Sequence, residues 1–154
     1  MTTPVHNQPN PPTPEDMART HQAAFLQGRP WSAREFAALL DSPFSYAVGD
    51  ARSFALGRVV AGEAELLTIA THPDHQRQGL ARAILERWWE VALAHGATDG
   101  FLEVAEDNHP ARSLYKAYGF AESGRRVGYY TRQGTAAVDA VLMSVSLRKA
   151  ESAE

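Results

Sequence analysis

The sequence predicts an α+β protein, with helices packed on a mixed, mostly antiparallel sheet. Three observations carry that prediction. Short β-prone runs between residues 44 and 72 are separated by turn residues, the apolar period becomes helical from Leu80, and beyond Gly96 an apolar strand, a helix and an alternating strand come in turn.

Five of the nine prolines fall in residues 1–14, so residues 1–12 are expected to form a poorly ordered tail that packs little. Thr13 followed by Pro14, Glu15 and Asp16 has the form of a helix N-cap with proline at the first helical position and acids near the positive end of the dipole. That helix should run to about Leu26. Ser32 and Glu35 are spaced as a capping box, with Phe36, Leu39 and Leu40 as the apolar face of a second short helix that Pro43 stops. "FSYAVGDARSFALGRVVAGEAELLTIATH" then breaks at Gly49-Asp50 and at Ala61-Gly62-Glu63, which reads as three consecutive antiparallel strands. Leu80, Ile84, Leu85, Trp88 and Ala92 mark the longest helix, and Gly96 ends it. "DGFLEVAED" is a buried strand, residues 108–118 a helix, Tyr129 to Thr135 a hairpin region, and "AVDAVLMSVSL" a final strand with alternating faces.

A chain of 154 residues suits one core, so a single domain is expected over residues 13–148, with a short tail at 149–154. A net charge of −3 gives no electrostatic reason to bind nucleic acid or a membrane. The absence of cysteine excludes disulfides, thiolate metal sites and a cysteine nucleophile. No stretch reaches the roughly 18 apolar residues of a membrane span, and "MTTPVHNQPNPPTP" lacks a signal peptide's apolar run, so a cytoplasmic address is expected. His72 and His75 form a spaced pair without companion ligands, and no metal is assigned.

The segment "HPDHQRQGLARAIL" joins a strand to the longest helix. The first turn of a helix leaves amide N–H groups without intrahelical partners, and with the macrodipole they make an anion site. Gly79 and Ala81 remove side-chain bulk there, and Arg77 and Arg82 add positive charge. A pyrophosphate fits that description. An ordinary strand-to-helix loop eased by one glycine fits it too.

"IATHPDHQRQGLARAIL" resembles the acetyl-coenzyme A loop of the GCN5-related N-acetyltransferases (GNAT), whose pattern Gln/Arg-x-x-Gly-x-Gly/Ala is met by Gln76, Gly79 and Ala81. "PWS", "HQRQGLARAIL", "LEVAEDN", "ARSLYKAYGF" and "RRVGYY" occur in the order found in the ribosomal-protein-alanine N-acetyltransferases, a similarity spanning about residues 15–147. The departures are alanine for the second loop glycine, "AEDN" where that family usually has Arg-x-Ser-Asn, and one extra residue between the arginine pair and the tyrosine pair.

The resemblance implies the GNAT fold, acetyl-coenzyme A as co-substrate and a protein N-terminus as acceptor, most simply the N-terminal alanine of the small-subunit ribosomal protein bS18. It implies that Ile69, Ala70 and Thr71, at the end of the family's fourth strand, bond along the pantetheine arm. Arg77, Gln78, Gly79, Leu80, Ala81 and Arg82 would hold the pyrophosphate, and Asn108 would contact the cofactor. Lysine side chains or small amines as acceptors, and a sensor that binds acyl-coenzyme A without turnover, are the alternatives.

Transfer to an amine needs a neutral nucleophile, a stabilised oxyanion and a proton for the departing thiolate. Glu103 is a carboxylate in the apolar run "FLEVA", which fits either a solvated strand face or a cleft. Tyr115 stands seven residues after Asn108 on a helix, where an aromatic suits the core. The resemblance makes Glu103 the general base and Tyr115, with a phenol near 10, the general acid. In "RRVGYYTRQG", Arg125, Arg126, Tyr129, Tyr130 and Arg132 form either a solvated hairpin or a clamp on a peptide, and the family's peptide site borders this region and "PWS", making Trp31 and Tyr130 the candidate acceptor contacts.

Overall fold

The computed structural model describes residues 11–24 and 30–147. Most of the proline-rich tail, the first helix's continuation to Leu26 and the C-terminal tail lie outside the described residues.

Helix α1, Pro14–Ala24, opens on a reciprocal cap: Thr13 Oγ1 accepts from the Asp16 amide at 3.0 Å, and the Asp16 carboxylate accepts from the Thr13 amide at 3.3 Å. In α2, Ala33–Leu40, Ser32 Oγ accepts from the Glu35 amide at 3.2 Å while Glu35 Oε1 accepts from the Ser32 amide at 2.9 Å, the expected capping box. Strands β1 (Ser45–Gly49), β2 (Ser53–Val60) and β3 (Glu63–Thr71) form the expected antiparallel meander. Ala61 and Gly62 both take positive φ, 53° and 83°, the signature of a tight I′ hairpin. Helix α3, Leu80–Ala94, crosses to β4, Asp99–Ala105, and buries Ile84, Leu85, Trp88 and Ala92 on the face their spacing marked. Helix α4 is His109–Ala117.

β5, Ala121–Tyr130, and β6, Val138–Ser146, complete a six-stranded sheet ordered β1-β2-β3-β4-β6-β5. Every neighbour is antiparallel except the β3–β4 pair. The hairpin region expected at Tyr129 to Thr135 is the end of β5 and its connection to β6, which pair antiparallel on either side of it. The long first arm of that hairpin is not marked in the sequence, because β5 is an edge strand that is almost wholly exposed and so shows no alternation. One expectation is corrected here. The strand ending in Ile69, Ala70 and Thr71 is the third of this chain rather than the fourth, because Ser45 begins the first strand among the described residues.

Two apolar layers cover the sheet. On one face α3 and α4 pack over Leu66, Leu102, Val104, Val141 and Met143, with Trp88 fully buried at the centre. Gly57 makes that possible, since a Cβ there would lie 2.6 Å from the Trp88 indole nitrogen. On the other face α1 and α2 cover Phe54, Leu56 and Ala70 with Met17 and Phe36.

One irregularity shapes the sheet's centre. The β2–β3 register passes from Leu56↔Thr68 to Gly57↔Leu66, which leaves Leu67 as a bulge. At the same level the parallel β3–β4 pairing, running from Glu63↔Asp99, stops at Leu66↔Leu102. β3 then continues along β2 to Thr71↔Ser53, and β4 along β6 to Ala105↔Ala140. A bulge bends its strand and re-aims the residues beyond it, so the two central strands part.

Candidate active site

The parting of β3 and β4 leaves one edge of residues 67–71 without a strand partner, in the middle of a sheet. Main-chain groups on such an edge seek partners, and here they can take an extended ligand. Ile69, Ala70 and Thr71 lie on this edge, as expected. The Thr71 hydroxyl is engaged with Ser53 Oγ at 2.8 Å and its carbonyl accepts from Gln76 Nε2 at 3.1 Å, so Gln76 folds the loop beyond Thr71 back onto the strand end.

That loop leads through a short 3₁₀ turn, Pro73–His75, to the mouth of α3. His72 caps the turn, its Nδ1 accepting from the Asp74 amide at 3.1 Å, which gives the histidine pair a structural role. Arg77 and Gly79 both take positive φ, 65° and 78°. Gly79 is the N-cap of α3 and offers no side-chain acceptor, the first turn carries no acid, and nothing lies within 4 Å of where a Cβ would stand. The contrast with α1 and α2 is physical: those helices satisfy their first amides with their own side chains, whereas the amides of Leu80, Ala81 and Arg82 receive no side-chain cap. An exposed, uncapped, glycine-opened helix mouth with Arg77 and Arg82 beside it suits a phosphate.

Asn108 is the N-cap of α4, with its Oδ1 accepting from the Ala111 amide at 3.3 Å, which fixes the side chain and leaves its Nδ2 donors for a ligand. Two turns later Tyr115 is buried, 5% exposed, among the α3–α4 layer. α4 ends in a Schellman arrangement in which the amides of Gly119 and Phe120 bond the carbonyls of Lys116 and Tyr115, and the Phe120 ring lies 5.8 Å from that of Tyr115. The phenol value near 10 is corrected: burial raises the Tyr115 hydroxyl above it, so the group carries its proton throughout the neutral range.

Glu103 alternates with Leu102 and Val104 on β4 and so faces the opposite side of the sheet from Tyr115. Between the two lies the part of the sheet where β3 and β4 are no longer paired. Glu103 forms an ion pair with Arg126, Nε to Oε2 3.0 Å. Tyr130 is half-buried, and its phenol is raised by burial first and by the charge of Glu103 next. The Arg132 guanidinium lies over the Tyr130 ring at 5.7 Å and grips Asp107 through two bonds of 2.9 and 3.0 Å. Arg125 pairs in turn with Glu106, Glu122 and Asp139. Glu103 and Arg126 are thus brought together, while Trp31 is held by α1, its amide donating to His21 Nδ1 at 3.0 Å and its ring stacked on His21 at 5.4 Å. Trp31 packs in the α1–α2 layer that includes Ala70 and Leu67. The sequence marks Arg126 only as one member of a possible clamp, without its partner Glu103, and does not single out Glu106 and Asp107. The acids of "AEDN" and the arginines of "RRVGYYTRQG" were the available signal.

Comparison with known proteins gives these features a family. A model described as the acetyltransferase (GNAT) family matches residues 7–120. The [ribosomal protein bS18]-alanine N-acetyltransferase of Escherichia coli (strain K12) is 37% identical over 123 residues, 77% of this chain and 82% of that protein. The N-alpha-acetyltransferase RimI of Mycobacterium tuberculosis is 34% identical over 120 residues, covering 71% and 73%. The crystal structure of the ribosomal-protein-S18-alanine N-acetyltransferase from Escherichia coli superposes with a TM-score of 0.78 at 32% identity over 87% of each chain. A parted sheet and an uncapped helix mouth therefore occur here in a sequence that shares most of its length with such enzymes, and the chain belongs to the acetyltransferase (GNAT) family.

Proposed function

We propose that the protein transfers the acetyl group of acetyl-coenzyme A to the N-terminal α-amine of a protein, with the N-terminal alanine of ribosomal protein bS18 as its acceptor. The observation that carries this reading is the 37% identity to the E. coli enzyme of that name over 82% of its length. The site's chemistry supports it. The amides of Leu80, Ala81 and Arg82 offer donors to a diphosphate, and the free edge at Ile69, Ala70 and Thr71 suits the amides of a pantetheine arm. Bound there, acetyl-coenzyme A supplies a thioester carbonyl to an amine.

Glu103 takes the amine's proton, directly or through a water, and Tyr115 holds a proton at its hydroxyl for the departing thiolate. An α-amine with a pKa of about 7.7 to 8.0 is already roughly one-tenth neutral near pH 7, whereas a lysine near 10.4 is below about one part in a thousand. An α-amine therefore asks less of a single carboxylate. An alanine-initiated peptide of bS18 sequence, offered free and with its N-terminus blocked, tests the acceptor. Acetylation of the free peptide alone is expected, and equal acetylation of the blocked one through a lysine would overturn the reading. In the same assay Glu103→Gln and Tyr115→Phe should retain acetyl-coenzyme A affinity and lower kcat by about 10²–10³-fold, the usual range for a lost acid or base. Undiminished turnover would remove the role assigned to either residue.

A further inference from the structure

The geometry points to Arg126 as a plug in the acceptor-amine position: its guanidinium sits on Glu103 where the acceptor's α-ammonium must bind, and must be displaced by that cation before transfer. The inference rests on the reading of Glu103 as the carboxylate that meets the amine.

Arg126 is the cation paired with that carboxylate, with Nε 3.0 Å from Oε2. Glu103 stands on β4 and Arg126 on β5, so the side chain crosses β6 to reach it. Arg126 is backed on its other side by the Tyr129 ring, 5.1 Å from the guanidinium carbon. The pair is open to solvent, the arginine side chain 56% exposed and the glutamate 26%, so the guanidinium is not locked in place by packing.

The backbone beside it leaves the regular ladder. Between Arg126↔Ala140 and Tyr130↔Val138, β5 has three residues where β6 has one. This bulge carries Gly128 at φ 63° and presents Val127 at 87% exposure. Its fixed point is Asp139, whose Oδ1 accepts from the Gly128 amide at 2.9 Å. It falls between the arginine pair and the tyrosine pair, where the sequence carries one residue more than the family pattern. Arg132 beyond it is pinned by Asp107 and lies over the Tyr130 ring, and Arg125 before it is held by three carboxylates. Among the described residues Arg126 has one carboxylate partner, Glu103, and is the more exposed of the two paired side chains.

A cation that occupies a binding position part of the time lowers apparent affinity by the fraction of molecules left open. Exposed ion pairs are weak, so plugged and open forms differ by only a small factor, and unplugging should strengthen acceptor binding about two- to six-fold.

The test is steady-state kinetics with an alanine-initiated peptide and acetyl-coenzyme A on Arg126→Gln and Arg126→Lys. Arg126→Gln is expected to lower KM for the peptide about two- to six-fold with kcat and the KM for acetyl-coenzyme A unchanged, and Arg126→Lys, which keeps a cation, to restore the wild-type KM. A peptide KM that is unchanged or raised in Arg126→Gln, or lowered equally in Arg126→Lys, overturns the plug. Glu103→Gln measured alongside separates the two ideas: full turnover there removes the reading of Glu103 itself, whereas a slow Glu103→Gln with an unaltered Arg126→Gln removes the plug alone.

Discussion

Gly79 shows how one residue sets a binding surface by the side chain it lacks. Its φ of 78° costs a residue with a Cβ about 1–2 kcal/mol, yet the space beyond is empty, so a larger side chain there meets only strain and solvent. Gly79→Glu should therefore fold, with a modest loss of thermal stability, while placing a carboxylate at the mouth that the diphosphate needs. Isothermal titration with acetyl-coenzyme A should show at least a tenfold loss of affinity, and equal binding by both proteins would mean that the helix mouth is not the diphosphate site. At this scale the sequence marked two oddities that the structure locates, a glycine that opens the uncapped mouth of α3 and a carboxylate among apolar residues on β4. It could not mark the partner of that carboxylate. Glu103 and Arg126 are 23 positions apart and meet only because β6 inserts between their strands.

Among the elements, those with internal period or self-contained caps were legible. Ser32 and Glu35 satisfy each other within one turn, and the 84/85/88/92 face of α3 is a property of the helix alone. β5 was hidden because an edge strand with exposed residues on both faces carries no alternation, and the Leu67 bulge because it is set by the register of β2 against β3. The α1–α2 pair hid a further property. His21 is buried against Trp31 and Phe36, and burial pulls its pKa from 6.5 down to about 4, with Glu35 opposing in part. The unfolded chain therefore binds this proton more readily than the folded one between about pH 6.5 and pH 4. The sign comes from linkage: stability contributed by neutral His21 is fully present above pH 6.5 and is lost as the pH falls toward 4. Denaturant melts at pH 7.5, 6 and 5 should show the wild type losing stability more steeply than His21→Gln. Parallel slopes would show that His21 does not titrate as the buried environment requires.

For the molecule as a whole, the sheet separates two apolar layers, and its two central strands part beyond Leu66↔Leu102. Tyr115 belongs to the layer under α3 and α4 and Glu103 to the opposite face, so the roles proposed for them require the reacting atoms to lie at the β3–β4 gap. The helix mouth proposed for the donor and the hairpin proposed for the acceptor are different segments, 79–82 and 125–132. The chain contains no cysteine, so no thiol of its own can carry the acetyl group between two half-reactions. Both points favour direct transfer with donor and acceptor bound at once. Initial-velocity lines for varied peptide at several fixed concentrations of acetyl-coenzyme A should therefore intersect, and no acetylated enzyme should accumulate when the donor is added alone. Parallel lines, or a stable acetyl-enzyme detected by intact mass, would place a covalent step on a side chain that this geometry gives no reason to choose. The same arrangement explains why Glu103→Gln and Tyr115→Phe should each spare donor affinity: neither side chain lies in the loop proposed for the diphosphate.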